Sequence, residues 1–178
     1  MHGSAPLPPT AMKTPLEPGE SKLVDNFGRR FGYLRLSLTD VCNFSCQYCL
    51  PDGYQKPCAK PNELSVQEIT LAVAAFAGLG VRKIRLTGGE PTLRRDFLEI
   101  ATVVRQVSGI ETLAMTTNGY RLVERAADYV SAGVNAINIS IDTLDTARFA
   151  ALTKHDRLTE LVAGVDAASK AGFTSVKV

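Results

Sequence analysis

Four glycines, Gly80, Gly109, Gly133 and Gly172, each close a helix-like stretch and precede a strand-like one. Glycine suits the position just past a helix because it takes a left-handed backbone without steric cost. Ahead of Gly80, Ser65 and Glu68 form an S-x-x-E capping box, and Ile69, Ala72, Phe76 and Leu79 recur at helical spacing. Asp96 and Glu99 stand in the same relation at the head of the next helix, before apolar Phe97, Ile100, Ala101 and Val104. The later helices offer Val123, Ala126, Ala127 and Val130, then Leu158, Leu161, Val162 and Val165. Strands are expected at about 33–39, 82–87, 111–117, 135–141 and 173–178. Alternating strand and helix predicts an α/β fold with a parallel sheet and crossover helices. Five such strands suit a flavodoxin-like open sheet or most of a (β/α) barrel.

The strands are two-faced. Counted from each glycine, the fourth and sixth positions are apolar: Ile84 and Leu86, Leu113 and Met115, Ile137 and Ile139, Val176 and Val178. The fifth and seventh hold Arg85 and Thr87, Ala114 and Thr116, Asn138 and Ser140, then Lys177. The first strand alternates Leu34, Leu36 and Leu38 with Arg35, Ser37 and Thr39. Neighbouring strand residues point to opposite faces, so one face is apolar and the other polar. A filled barrel interior is branched and apolar, and strands buried on both faces read as continuous apolar runs. Neither describes a face bearing Arg35, Arg85 and Lys177. Buried unpaired charge is costly, so these cations call for an anionic ligand, water, or local acids such as Asp40, Glu90 or Asp142. The hydroxyls of Thr87, Thr116 and Ser140 fall at the C-terminal strand ends, where such folds build their sites.

The chain has 178 residues, 45% of them hydrophobic, and a net charge of +2. That size supports one domain with a real core, and that charge argues for neither nucleic acid nor membrane as a partner. No apolar run approaches the roughly 18 residues of a membrane span. Residues 1–22 are proline-rich and aperiodic, and are read as disordered; residues 23–178 are read as the folded core. No apolar secretory stretch opens the chain, so a reducing, cytoplasmic setting is expected and disulfides are not.

Cys42, Cys46 and Cys49 follow the first strand with C-x3-C-x2-C spacing, Tyr48 directly before the last. Three thiolates on one short loop can hold three irons of a [4Fe–4S] cubane. Such a cluster normally takes four cysteines, so three leave one iron open to a small molecule. Zinc with Cys58 as fourth ligand, and plain unligated thiols, are the alternatives; Cys58 itself is read as a spare thiol. After the second strand comes Thr87-Gly88-Gly89-Glu90-Pro91, whose paired glycines allow a close backbone approach to a ligand. Glu90 either meets an ammonium there or fixes the loop, and Asp142 is read as a helix cap.

The stretch from Asp40 to Cys49 resembles the cluster loop of radical S-adenosylmethionine (SAM) enzymes, and Gly88-Gly89-Glu90 resembles their SAM-gripping motif. Asp25-Asn26-Phe27-Gly28-Arg29, with Arg35, Cys49, Leu50 and Pro51, is more narrowly similar to the GTP 3′,8-cyclase family (molybdenum cofactor biosynthesis protein A). The resemblance implies a partial (β/α) barrel of the radical SAM type, here cut after about five parallel strands. It implies that Cys42, Cys46 and Cys49 ligate a [4Fe–4S] cluster. Tyr48, Gly89 and Ser140 would then contact SAM, and Arg35, Arg85, Thr116 and Lys177 would contact GTP; no residue is assigned a catalytic role. The implied activity is a lyase-class cyclisation of GTP to (8S)-3′,8-cyclo-7,8-dihydroguanosine 5′-triphosphate through a 5′-deoxyadenosyl radical. The implied partners are GTP, an electron donor and the next enzyme of the pterin pathway, and a homodimer is allowed. A second [4Fe–4S] cluster is expected only in a C-terminal half beyond Val178, without which the chain is expected to be an incomplete and poorly active piece. Another radical SAM enzyme, such as a peptide-modifying maturase, and a non-catalytic metal-binding module are the competing readings.

Overall fold

The computed structural model describes residues 22–55 and 63–178; nearly all of the proline-rich opening stretch, and Cys58, lie outside the described residues. Five parallel strands, β1 (Tyr33–Ser37), β2 (Lys83–Thr87), β3 (Thr112–Thr117), β4 (Ala136–Ile139) and β5 (Ser175–Lys177), lie side by side in chain order. Between them run α1 (Val66–Gly78), α2 (Phe97–Gln106), α3 (Leu122–Ser131), α4 (Thr146–Thr153) and α5 (Leu158–Ala171). Crossovers of one hand between successive neighbours put α1, α2, α3 and α5 on the same side of the sheet, where their apolar residues share one core. A doubly wound sheet reverses its strand order partway; this one does not. The architecture is the partial (β/α) barrel, and the flavodoxin-like alternative is excluded.

The helix-side face is the core. Ile84, Leu86, Leu113, Met115, Ile137 and Ile139 are at most 2% exposed, and they pack with Ile69, Val73, Ile100, Val104, Leu122 and Ala126. The alternation in the sequence therefore predicts the face correctly on β2, β3 and β4. On β5 it fades: Val176 is only half-buried and Val178 is 69% exposed.

The layers of the other face differ from a simple count. Arg35 pairs with Arg85, Arg85 with Ala114, and Ala114 with Ala136. Thr116 pairs with Asn138, and Asn138 with Lys177. The fifth residue after Gly133 thus aligns with the seventh after Gly109. A two-residue slip between β3 and β4 preserves which face each side chain takes but displaces its height. Such stagger accompanies the tilt and shear of a closing barrel.

The helix starts separate good local readings from poor ones. Ser65 and Glu68 form the full reciprocal capping box of α1. Asp96 precedes α2 but makes no side-chain cap bond; its carboxylate is taken by Arg94 at 2.6 Å. α3 turns Leu122, Ala126 and Tyr129 inward and leaves Val123 and Ala127 exposed, one residue round from the expected stripe. α4, absent from the expected elements, is capped by Asp145, whose side chain accepts from the Arg148 N–H at 2.8 Å. Asp142 is not that cap. Among the described residues no helix is long and apolar enough to cross a membrane.

Candidate cofactor site

The cysteine loop leaves β1 at the C-terminal edge of the sheet and is held from two sides by backbone. On one side the Gly89 N–H donates to Thr39 O and the Glu90 N–H to Val41 O, both at 2.8 Å. A Cβ on Gly88 would collide with the Thr39 carbonyl, and one on Gly89 with the Val41 carbonyl. The glycine pair is therefore required by the approach of this chain to itself, and not by a ligand alone. On the other side the Ser45 N–H donates to Thr153 O at 3.2 Å and the Gln47 N–H to Leu152 O at 2.9 Å. A small second core of Phe44, Phe149, Leu158 and Leu161 sits beneath, with Cys42 and Cys46 packed against it. Phe44 stacks on His155 at 4.6 Å and meets Phe149 edge-on at 6.3 Å. The unexpected α4 and the start of α5 thus form the loop's floor.

Cys42, Cys46 and Cys49 are free thiols, and all three line one cavity of about 260 Å³. The same cavity is lined by Tyr48, Gly89, Ser140, Arg35 and Thr116, with Thr87, Gly88, Asn118 and Asp142. The structure thereby brings the three cysteines together with all three residues expected at SAM and with two of the four expected at GTP. Arg85 and Lys177 stand outside that lining. Arg85 reaches it indirectly, since its guanidinium donates to Thr116 Oγ1 at 3.1 Å, to Met115 O at 3.1 Å and to the Tyr33 hydroxyl at 2.8 Å. Lys177 is exposed on β5.

Burial pushes the Cys42 and Cys46 thiols above their ordinary range, and each is also raised by the neighbouring thiols. No three His, Cys, Asp or Glu side chains among the described residues are drawn tightly enough around one point to hold a single metal ion. A zinc ion needs its sulfurs on one centre at about 2.3 Å, whereas a cubane takes each thiolate on a different iron. The donor set, three free thiols lining one cavity, suits a cluster that takes each thiolate on a separate iron.

The acids do not neutralise the cations. Among the described residues none of the ion pairs includes Arg35, Arg85 or Lys177. Glu90 is fully buried. Its Oε1 accepts from Thr92 N–H, Thr92 Oγ1 and Thr117 Oγ1 at 2.6–3.1 Å. Its Oε2 accepts from the Asn118 N–H at 2.7 Å. Desolvation pushes this carboxyl upward against those four donors. Glu90 thus fixes the loop, the second of the two roles expected for it. Asp142 accepts the Tyr48 hydroxyl at 2.7 Å, a contact that holds the phenol well above its usual range. Asn43 and Asn118 were not singled out by sequence; the Asn-Gly pair directly after β3 was the available signal, since it marks a turn at the site-bearing strand end.

Comparison with known proteins agrees with this geometry. The family model of the radical SAM superfamily matches residues 36–178. The chain is 51% identical over 177 residues to the GTP 3′,8-cyclase of Aeromonas hydrophila, covering 97% of this chain and 51% of that protein. It is 54% identical over 159 residues to the GTP 3′,8-cyclase of Actinobacillus pleuropneumoniae serotype 3, covering 89% of this chain and 46% of that protein. The chain therefore spans about half the length of these relatives. Among solved structures, Streptococcus suis SuiB bound to its precursor peptide SuiA superposes with a TM-score of 0.66 at 16% identity, over 82% of this chain and 32% of that one; this likeness concerns the fold alone. With a partial barrel, a C-x3-C-x2-C loop on its rim and a family match over most of its length, the chain belongs to the radical SAM superfamily.

Proposed function

We propose that this chain supplies the cluster- and SAM-binding half of a GTP 3′,8-cyclase. The observation that carries the reading is the single cavity joining three free thiols to the cationic, hydroxyl-lined face of the sheet. When bound, the cluster supplies the electron that cleaves the S–C5′ bond of SAM and yields a 5′-deoxyadenosyl radical. Cys42, Cys46 and Cys49 hold it. Gly89, with Tyr48 and Ser140, holds SAM beside it. Arg35, Arg85, Thr116 and Lys177 hold GTP, the arginines through charge-assisted hydrogen bonds to phosphate oxygens. The chain's own contribution is placement and exclusion of water, which keep the ribose 3′ hydrogen near the radical and guanine C8 near the resulting carbon. Joining ribose C3′ to guanine C8 would leave an unpaired electron on the purine, so one electron from the reductant and one proton from solvent complete the dihydro product.

The protein acts in the cytoplasm on this reading, takes electrons from a reductant and passes its product to the next pterin-forming enzyme. The test is anaerobic turnover of SAM with dithionite by a protein carrying both halves. The expected result is 5′-deoxyadenosine formed with a GTP-derived cyclic product, both lost in Cys42→Ala. Cleavage of SAM that is indifferent to GTP would overturn the substrate assignment.

A further inference from the structure

Asn118 lines the cavity, yet its amide is committed elsewhere. Its Oδ1 accepts from the Tyr120 N–H at 2.9 Å, so the network fixes which way the amide points. Nδ2 is left to donate, and it does so to Asn43 Oδ1 at 2.9 Å, across 75 residues of chain. The Asn118 backbone is itself pinned by Glu90 Oε2. The Thr117 hydroxyl, which donates to Glu90, accepts from the Gly119 N–H at 3.0 Å. A fully buried carboxylate thus anchors an asparagine that reaches over to the cysteine loop.

The receiving residue sits next to a cluster ligand. The Phe44 N–H points at Cys42 Sγ at 3.5 Å. That N–H belongs to the peptide unit directly after the Asn43 side chain, so the bond from Asn118 to Asn43 bears on its orientation toward the sulfur. Hydrogen bonds to ligand sulfurs are among the terms that set an iron–sulfur reduction potential. They stabilise the more negative, reduced state and so raise the potential.

We infer that Asn118 is a positioning residue for the cluster: acting through Asn43, it aims the Phe44 N–H at Cys42 Sγ and thereby raises the cluster's midpoint potential. The inference rests on cluster ligation by Cys42 and is independent of the identity of the substrate.

The test is redox titration, followed by electron paramagnetic resonance, of the chain reconstituted with iron and sulfide. Asn118→Ala and Asn43→Ala are each expected to load cluster to the wild-type level. Each should shift the midpoint to a more negative value, and the double variant should shift it no further than the larger single one. Thermal melts run alongside report loss of fold separately. A wild-type midpoint in either folded single variant, a shift to more positive values, or shifts that add in the double variant would overturn the inference. Should Asn118→Ala fail to fold, Asn43→Ala decides alone. A wild-type chain that loads no cluster defeats the ligation reading instead.

Discussion

On the helix-covered face of the sheet, the side chains of Ile84, Leu113, Met115 and Ile137 are fully buried in the main apolar core. On the opposite face Arg35, Ser140 and Lys177 are exposed, and the cations there enter none of the ion pairs among the described residues. Both faces come from the same short strands and differ only by the parity of residue number. The contrast assigns them different work: one face holds the fold together, and the other keeps polar and cationic groups outside any ion pair among the described residues, which the proposed function uses for ligand binding.

The largest test of that division is Ile137→Ala. Removing a fully buried side chain from the helix-covered face is expected to cost about 2–5 kcal/mol, read by denaturant unfolding of the metal-free chain. Ser140→Ala, on the other face, is expected to change stability by no more than about 0.5 kcal/mol; an equal loss at both positions would break the comparison.

A second test sharpens where the rigid part ends. Arg94 is nearly buried; its guanidinium donates to Leu38 O at 3.1 Å, to Leu64 O at 3.0 Å and to Asp96. The hydrogen bonds from Arg94 hold the Asp96 carboxyl below its ordinary range. Asp96→Asn is expected to lose about 1–3 kcal/mol at neutral pH, discounted for the partial exposure of Asp96. Because the folded pKa is depressed, the stabilisation is fully present above the unfolded value near 4. It is lost as pH falls through the lower folded value. The gap between the two proteins should therefore close in acid, and a gap independent of pH would exclude the ion pair as its source.

Arg85→Ala then probes the polar face directly. Its three hydrogen bonds are partly solvated, so a stability loss of about 1 kcal/mol is expected. Affinity for a nucleoside triphosphate, measured by calorimetry, should fall by about tenfold or more. The reverse pattern, a large stability loss with unchanged affinity, would move Arg85 into the structural half of the molecule. The smallest effect is Tyr48→Phe. Tyr48 is 65% exposed, so losing its bond to Asp142 should change the melting midpoint by little, within about 0.5 kcal/mol. A clearly larger loss would mean that the loop depends on that contact.

How legible these features were in the sequence follows from how local they are. The buried strand faces and the α1 capping box depend on residues two to four apart, and the pattern displays them directly. The stripe of α3 was misplaced because Val123 and Val130 compete with Leu122 and Tyr129 for the inward side, and only packing chooses between them. The β3–β4 slip was invisible because alternation within one strand carries no information on height relative to its neighbour. The cysteine triad was readable from spacing. Its supports were not: Tyr48 meets Asp142 across 94 residues, and Asn118 meets Asn43 across 75. The glycine pair was legible as a close approach, but the sequence could not say that the partner was the Thr39–Val41 backbone.

The most direct check on the central claim is metal and sulfide content after anaerobic reconstitution of the purified chain. The account predicts about four irons and four acid-labile sulfides per chain, with the reducible spectrum of a [4Fe–4S] cluster, and loss of both in Cys42→Ala. One bound zinc without labile sulfide, or undiminished cluster in that variant, would contradict it.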